Sequence, residues 1–201
     1  MFVFLGHKNQ SQIKTAQNMK LIPYVIAGLI FAGGCISPLS ETKEDAAKVI
    51  ISTNLENPDS LLTAEPIAWK NANALHEGLA FSGKTASKLD YENEYSIVFE
   101  QKIGYIDPRS PRRFTFQAMM YSPEPLPVGF MVASVSGTEY YRSYPVMEFL
   151  PEGKKWEKVR TTFTFPDSLK PSDMLKVYIW NKKQSELLID DLRLEFEYGK
   201  E

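Results

Sequence analysis

Leu175-Lys-Val-Tyr-Ile-Trp-Asn181 alternates without a break: Leu175, Val177 and Ile179 take one phase, and Lys176, Tyr178 and Trp180 take the other. Successive side chains of a β-strand point to opposite faces, so the run predicts a strand with an apolar inner side. The same period recurs on both sides of it. Residues 113–121 set Phe114, Phe116, Ala118 and Met120 against Arg113, Thr115, Gln117 and Tyr121. Residues 158–165 turn Val159, Phe163 and Phe165 away from Lys158, Arg160 and Thr162, and 187–198 group Leu192, Leu194 and Phe196. In 93–100, Tyr95, Ile97 and Phe99 share a phase; 128–135 is apolar on both faces and predicts a central strand; 49–55 is a plausible first strand.

Turn chemistry separates these runs. Asp107-Pro-Arg-Ser-Pro111, Pro123-Glu-Pro-Leu-Pro127, Ser136-Gly137, Pro151-Glu-Gly153 and Pro166-Asp-Ser-Leu-Lys-Pro171 all break strands. Short strands divided by such signals predict an all-β chain folded as an antiparallel β-sandwich or barrel. No internal repeat or low-complexity tract appears.

Composition agrees. The chain has 201 residues, 43% hydrophobic and 12% aromatic, enough for a sizeable core. Its 23 basic and 25 acidic residues leave a net charge of −2, which argues against a general nucleic-acid binder. The single cysteine excludes an intramolecular disulfide and a Cys-rich zinc site.

That cysteine has an address. Met19-Lys20 is followed by an apolar run from Leu21 to Gly34 and then by Cys35. A basic residue, an apolar core and small residues make the layout of a secretory signal, too short and too rich in glycine to span a bilayer. Ala32-Gly33-Gly34-Cys35 resembles the lipobox of bacterial lipoproteins, in which the chain is cut before the cysteine and its sulfur receives a diacylglycerol. A lone buried cysteine is the alternative. Residues 1–18 fit no signal core, so Met19 is read as the start and 1–34 as upstream extension plus signal peptide; an unusually long n-region from Met1 is the other option. Residues 35–45, polar and proline-containing, read as the lipidated cysteine and a flexible tether. The folded body is predicted over 46–201, held at the bacterial cell envelope, periplasmic or surface-facing.

Asn54-Leu-Glu56, Trp69, Phe81-Ser-Gly-Lys-Thr-Ala-Ser87 and Glu94-Tyr-Ser96, followed late in the chain by Trp156-Glu-Lys-Val159, Phe163, Val177-Tyr-Ile-Trp-Asn181 and Leu188-Ile-Asp-Asp-Leu192, carry a family resemblance. This order resembles galactose-binding-domain-like jelly rolls: carbohydrate-binding modules of the cellulase-associated kind, and similar domains in surface lipoproteins of Bacteroidetes-type bacteria. The resemblance implies a jelly roll over 49–198 and glycan binding as an expectation. It also implies a structural calcium between the first and last strands, with Glu56 and Asp190 as ligands beside carbonyls of the Ser82-Gly83-Lys84 region. Solvated or salt-bridged carboxylates, Asp191 among them, are the plain alternative.

Tyr178 and Trp180, out of phase with the core residues, are the leading ligand candidates. Side chains at i and i+2 lie about 6.6 Å apart along a strand, so two outward rings form a platform for the C–H face of a sugar. Gln117, Arg113 and Tyr121, in the outward phase of their own strand, are candidates for hydrogen bonds to its hydroxyls. The same rings suit loop cover or an envelope-protein partner. Tyr140-Tyr141-Arg142-Ser143-Tyr144 is a second aromatic cluster: Tyr140 is a further ligand candidate, and an edge strand with one packed face is the alternative. Trp69 and Trp156 read as packing residues. Catalysis has little to draw on. His7 precedes the cleavage site, His76 reads as a surface loop residue, and glycoside hydrolysis by a carboxylate pair is the remaining enzymatic option.

Overall fold

Residues 187–197, the longest alternating run, form the spine of one of two sheets. The computed structural model describes residues 47–63, 69–182 and 184–199. The expected signal run, Cys35 and the tether lie outside them. The strands are β1 (Lys48–Thr53), β2 (Trp69–Lys70), β3 (Leu75–Glu77), β4 (Thr85–Leu89), β5 (Val98–Lys102), β6 (Arg113–Tyr121), β7 (Phe130–Ser136), β8 (Tyr141–Pro145), β9 (Glu157–Thr164), β10 (Met174–Trp180) and β11 (Leu187–Glu197). Two short helices, α1 (Pro58–Thr63) and α2 (Ile103–Ile106), sit between strands.

One sheet has the order β3-β4-β11-β6-β9, with β1 also on β11; the other is β2-β5-β10-β7-β8. Every pairing between these strands is antiparallel. The protein is an antiparallel β-sandwich. The alternation of 175–181 survives intact: Leu175, Val177 and Ile179 are buried, and Lys176, Tyr178 and Trp180 are half-buried on the outer side. Inner faces meet through phenylalanines. Phe114 stacks on Phe163 at 4.8 Å and on Phe196 at 5.4 Å within the β11 sheet, and Phe99 of β5 reaches Phe196 across the interior at 6.3 Å. Trp69 is buried against Phe99 at 5.4 Å, as expected of a packing residue. Truncating one of these rings to alanine costs about 3–5 kcal/mol.

Two irregularities depart from simple alternation. The register of β11 on β6 shifts between Asp190 and Arg193, and Asp191 takes φ 48°. This bulge lets β4 pair with residues 187–189 and β1 with 192–197 of the same strand. Tyr95, expected inward with Ile97 and Phe99, is 42% exposed. The ladder of β5 starts only at Val98, and Tyr95 makes an isolated bridge to Trp180. Ser96 turns inward instead: its N–H donates to the Ile179 carbonyl and its hydroxyl accepts from the Ile179 N–H.

Candidate ligand-binding face

The outer side of the β10 sheet gathers aromatic rings from three strands and one loop. Register fixes the grid. Lys176 lies opposite Ser134 on β7, which lies opposite Tyr141 on β8; Tyr178 lies opposite Val132 and then Ser143; Trp180 lies opposite Phe130 and then Pro145. On the other flank Glu100 of β5 faces Lys176. Val132 points outward by alternation yet is fully buried and stands apart from the sandwich core, so this outer layer has an apolar floor of its own.

Tyr178 is the centre. Tyr95 meets it edge-on at 5.6 Å. Burial pushes the Tyr178 phenol above its ordinary range, and the neighbouring phenols of Tyr141 and Tyr95 push the same way. Tyr141 is 48% exposed. Lys176 pairs with Glu100 at 3.2 Å beside these rings. Lys70, Tyr95, Val98, Glu100, Lys176 and Tyr178 line a shallow cavity of about 260 Å³. Trp180 is less available. Its indole N–H donates to Glu94 Oε1 at 2.7 Å, Phe130 packs at 6.1 Å, and the Lys182 ammonium sits 4.7 Å above the ring.

Four expected site residues are elsewhere. Arg113, Gln117 and Tyr121 are on β6, which hydrogen-bonds to β11 and β9 and therefore belongs to the opposite sheet. Arg113 gives both Nε and Nη2 to Glu197 Oε2, at 2.8 and 2.6 Å. Gln117 lies between Arg193 and Arg160 in register, and Tyr121 packs on Trp156 at 5.7 Å. That outer face is a ladder of exposed ion pairs, Lys48–Glu195 at 2.7 Å among them, which water screens. Tyr140 precedes β8 and is only 7% exposed, its ring 5.5 Å from Phe165. The cluster Tyr140–Tyr144 is an edge strand whose two phases divide: Tyr141 and Ser143 face the platform, while Tyr140 and Tyr144 pack against Phe165 and Phe163. Tyr95 and Glu100 escaped the sequence reading, because neither phase nor spacing announces which strand lies beside β10.

Glu56 and Asp190 do converge on one loop, from different sides. Glu56 Oε1 accepts from the N–H groups of Lys84 and Thr85 at 2.9 and 2.8 Å. Asp190 Oδ2 accepts from the N–H groups of Phe81 and Ser82, both at 2.9 Å, and its Oδ1 from Asp191 N–H at 2.7 Å. The Ser82 hydroxyl donates to Asp191 Oδ1 at 2.9 Å. Burial pushes the Asp190 carboxyl up, against these N–H groups, which hold it down. Calcium takes six to eight oxygens. Here the loop turns N–H groups toward the acids, and among the described residues no three acidic, His or Cys side chains gather into a cation site. As arranged, these groups do not fit calcium.

No protein-family model matches the chain, and no curated protein matches it in sequence. Solved structures are similar in strand architecture. The CBM22-1 xylan-binding domain from Paenibacillus barcinonensis is 10% identical, with 78% of this chain and 98% of that one covered, at a TM-score of 0.47. Another xylan-binding domain of the same module family is 13% identical, with 77% and 98% covered, at 0.44. A cyclase from Fischerella, complexed with an indolyl butanone, is 13% identical, with 75% and 86% covered, at 0.41. At such identities the likeness is one of chain trace, and the chemistry of the β10 face rests on its own residues.

Proposed function

We propose that the protein is a non-catalytic glycan-binding module, and that the outer face of the β10 sheet is its binding surface. The observation that carries this is the arrangement of Tyr95, Tyr178 and Tyr141. One half-buried phenol stands between two rings that are roughly half exposed, with the Lys176–Glu100 pair alongside. Sugar rings present apolar C–H faces that lie on aromatic rings, and their hydroxyls require donors and acceptors at the rim. Lys70, Glu100, Lys176, Ser134 and Ser143 supply both kinds in reach of the row. The reading without catalysis draws on the state of the nearby acids: Glu94 holds the Trp180 indole and Glu100 holds Lys176. His76 is exposed on edge strand β3.

Retention of the protein on immobilised polysaccharides tests the reading. Tyr178→Ala is expected to abolish retention while leaving thermal unfolding nearly unchanged. Undiminished retention overturns the assignment of the face. Loss of a co-purifying protein, with no glycan retained by either form, replaces the glycan by an envelope-protein partner. Turnover of chromogenic glycosides overturns the non-catalytic reading.

The anchor belongs to the same proposal. A diacylglycerol on Cys35 and a second, amide-linked chain give stable membrane attachment where a single chain does not. Mass spectrometry of the protein from its native host is expected to show an acylated N-terminus at Cys35; an intact Met1 or Met19 terminus overturns it.

A further inference from the structure

β1 and β4 lie end to end along β11: β4 pairs with residues 187–189 and β1 with 192–197, so Asp190 and Asp191 have neither beside them. From this gap to α1 runs a cavity of about 850 Å³, against about 260 Å³ for the one beside Tyr178. Its size is that of pockets that enclose a small molecule. The turn after β1 fixes two amides in its lining. Leu55 is buried with φ 63°, and Thr53 Oγ1 accepts its N–H at 3.0 Å. Asn54 Oδ1 accepts the Glu56 N–H at 3.3 Å, and Asn57 Oδ1 accepts the Ser60 N–H at 3.3 Å at the start of α1. Each asparagine thus uses its oxygen on the backbone and keeps its NH2 group for a ligand. Gln117, on β6, is half-buried, and among the described residues its amide meets no partner. Ser52 and Ser60 add hydroxyls to the lining. Its two charged groups are already engaged: Asp191 Oδ1 accepts the Ser82 hydroxyl at 2.9 Å, and Arg193 gives a terminal nitrogen to Glu195 at 3.4 Å. Leu61 and Trp69, both buried, and Ile50, 47% exposed, make the apolar part of the wall.

We propose that this cavity is a second ligand site, which takes a neutral sugar by enclosure. Two fixed NH2 donors, an amide that both donates and accepts, and two hydroxyls complement a ring whose own hydroxyls each donate and accept. The apolar wall suits the C–H side of that ring. Asp191 and Arg193 carry opposite charges and have partners, so a charged sugar entering here loses its water without gaining a free counter-charge. The site is separate from the aromatic row: Gln117, Asp191 and Arg193 stand on the β11 sheet and Tyr178 on the β10 sheet. Gln117 thereby binds sugar hydroxyls, as its outward phase suggests, but away from Tyr178. The choice of a sugar among neutral polar ligands rests on the glycan reading above.

The test titrates the whole chain with glucose, galactose and xylose, and with glucuronate and glucosamine as charged counterparts, using ligand-observed NMR and calorimetry. At least one neutral sugar is expected to bind saturably and more tightly than either charged one. Gln117→Ala removes one hydrogen-bonding group and is expected to weaken that binding about tenfold, with the melting temperature unchanged. Ser60→Trp, at an exposed position of α1, is expected to fill the cavity and abolish it. A blank panel overturns the site, and so does binding undiminished in both variants. Tighter binding of a charged sugar overturns its neutrality. Tyr178→Ala separates the two readings, because it is expected to abolish retention on polysaccharide and leave the small sugar bound. Loss of the small sugar in Tyr178→Ala and not in Gln117→Ala moves it to the aromatic row and overturns the cavity. A small sugar lost only in the cavity variants, with no polymer retained by wild type, keeps this site and removes the β10 face.

Discussion

The indole N–H of Trp180 donates to Oε1 of Glu94 at 2.7 Å, which pins the edge of the ring while Lys182 covers one face at 4.7 Å. Trp180 is therefore a support of the outer layer, and Tyr178, half-buried between the exposed rings of Tyr95 and Tyr141, is the centre of the platform. The two positions are expected to respond differently. Tyr178→Ala removes polysaccharide retention with little change in stability. Trp180→Ala destabilises the fold by about 2–3 kcal/mol, since it strips packing from Phe130 and leaves Glu94 without its donor. Urea unfolding beside gel retention checks both; equal stability loss in the two variants would contradict the division of roles.

The loop over 81–85 is held by acids on two different elements, so its weak points are specific. Asp190→Ala leaves the N–H groups of Phe81, Ser82 and Asp191 without their acceptor and is expected to cost about 3 kcal/mol or more. Gly83 has φ +61°, and a Cβ there would fall on the Glu56 carboxyl. Gly83→Ala is expected to cost about 1–3 kcal/mol. Part of that cost disappears when Glu56→Ala is combined with it, because the second change removes the obstruction. A double-mutant cycle in chemical denaturation reads the coupling, and strict additivity would refute it.

Because Oε1 of Glu56 and both oxygens of Asp190 already accept backbone N–H groups, calcium is expected to add nothing to stability. Melting curves with millimolar calcium and with a chelator should superimpose. A ligand that binds only the folded state at 100 times its dissociation constant raises stability by about 2.7 kcal/mol, so an upward shift of several degrees on adding calcium would show that the loop reorganises around the ion.

Much of the sandwich was legible because its strands are half-buried. Leu175, Val177 and Ile179 announce an inner face, and Phe114, Phe116, Ala118 and Met120 announce another. What alternation cannot carry is the identity of the neighbour. Gln117 pairs with Arg193, far along the chain, and nothing in residues 113–121 tells whether they adjoin β10 or β11. Arg113, Gln117 and Tyr121 were therefore outward, as read, but outward on the wrong sheet for the Tyr178 face. Tyr95 failed for a different reason: phase is defined only inside a hydrogen-bonded ladder, and the ladder of β5 begins after it. Asp190 and Asp191 were legible as a pair of acids near the end of the chain, while the bulge that turns them toward Ser82 is a tertiary effect.

The same burial gives Asp190 an inverted pH response. Desolvation is the largest influence on it and pushes its folded pKa above the ordinary carboxylate value. The folded state then binds a proton that the unfolded state releases, so its contribution to stability grows as pH falls from above the raised value toward about 4, and is constant below. Asp107 and Glu195 run the other way. Arg109 holds Asp107 low and Lys48 holds Glu195 low, so their stabilisation is present above the ordinary value and lost as pH falls. Those two cancel when wild type is compared with Asp190→Asn. The wild-type advantage over this variant is expected to be smallest near pH 7 and to widen toward pH 4 in urea titrations. An advantage that shrinks as pH falls would show that the N–H groups outweigh desolvation.

Tyr198 supplies the last expectation. Its side chain is buried, its hydroxyl has no partner, and burial pushes the phenol well above its ordinary range. The Arg109 guanidinium lies 4.8 Å over the ring, a contact that needs the π-face and not the oxygen. Tyr198→Phe keeps ring and cation together and removes the unsatisfied group, so it is expected to stabilise the protein by about 1 kcal/mol. For a domain of this size that corresponds to a rise of about 2–4 °C in Tm. Tyr140→Phe removes a second unpartnered hydroxyl from a less deeply buried ring, 7% exposed against 1% for Tyr198, and is expected to give a smaller gain. Denaturant unfolding of the two variants side by side decides it: a loss of stability in Tyr198→Phe would mean that the hydroxyl holds a buried water, and the order of the two gains would then reverse.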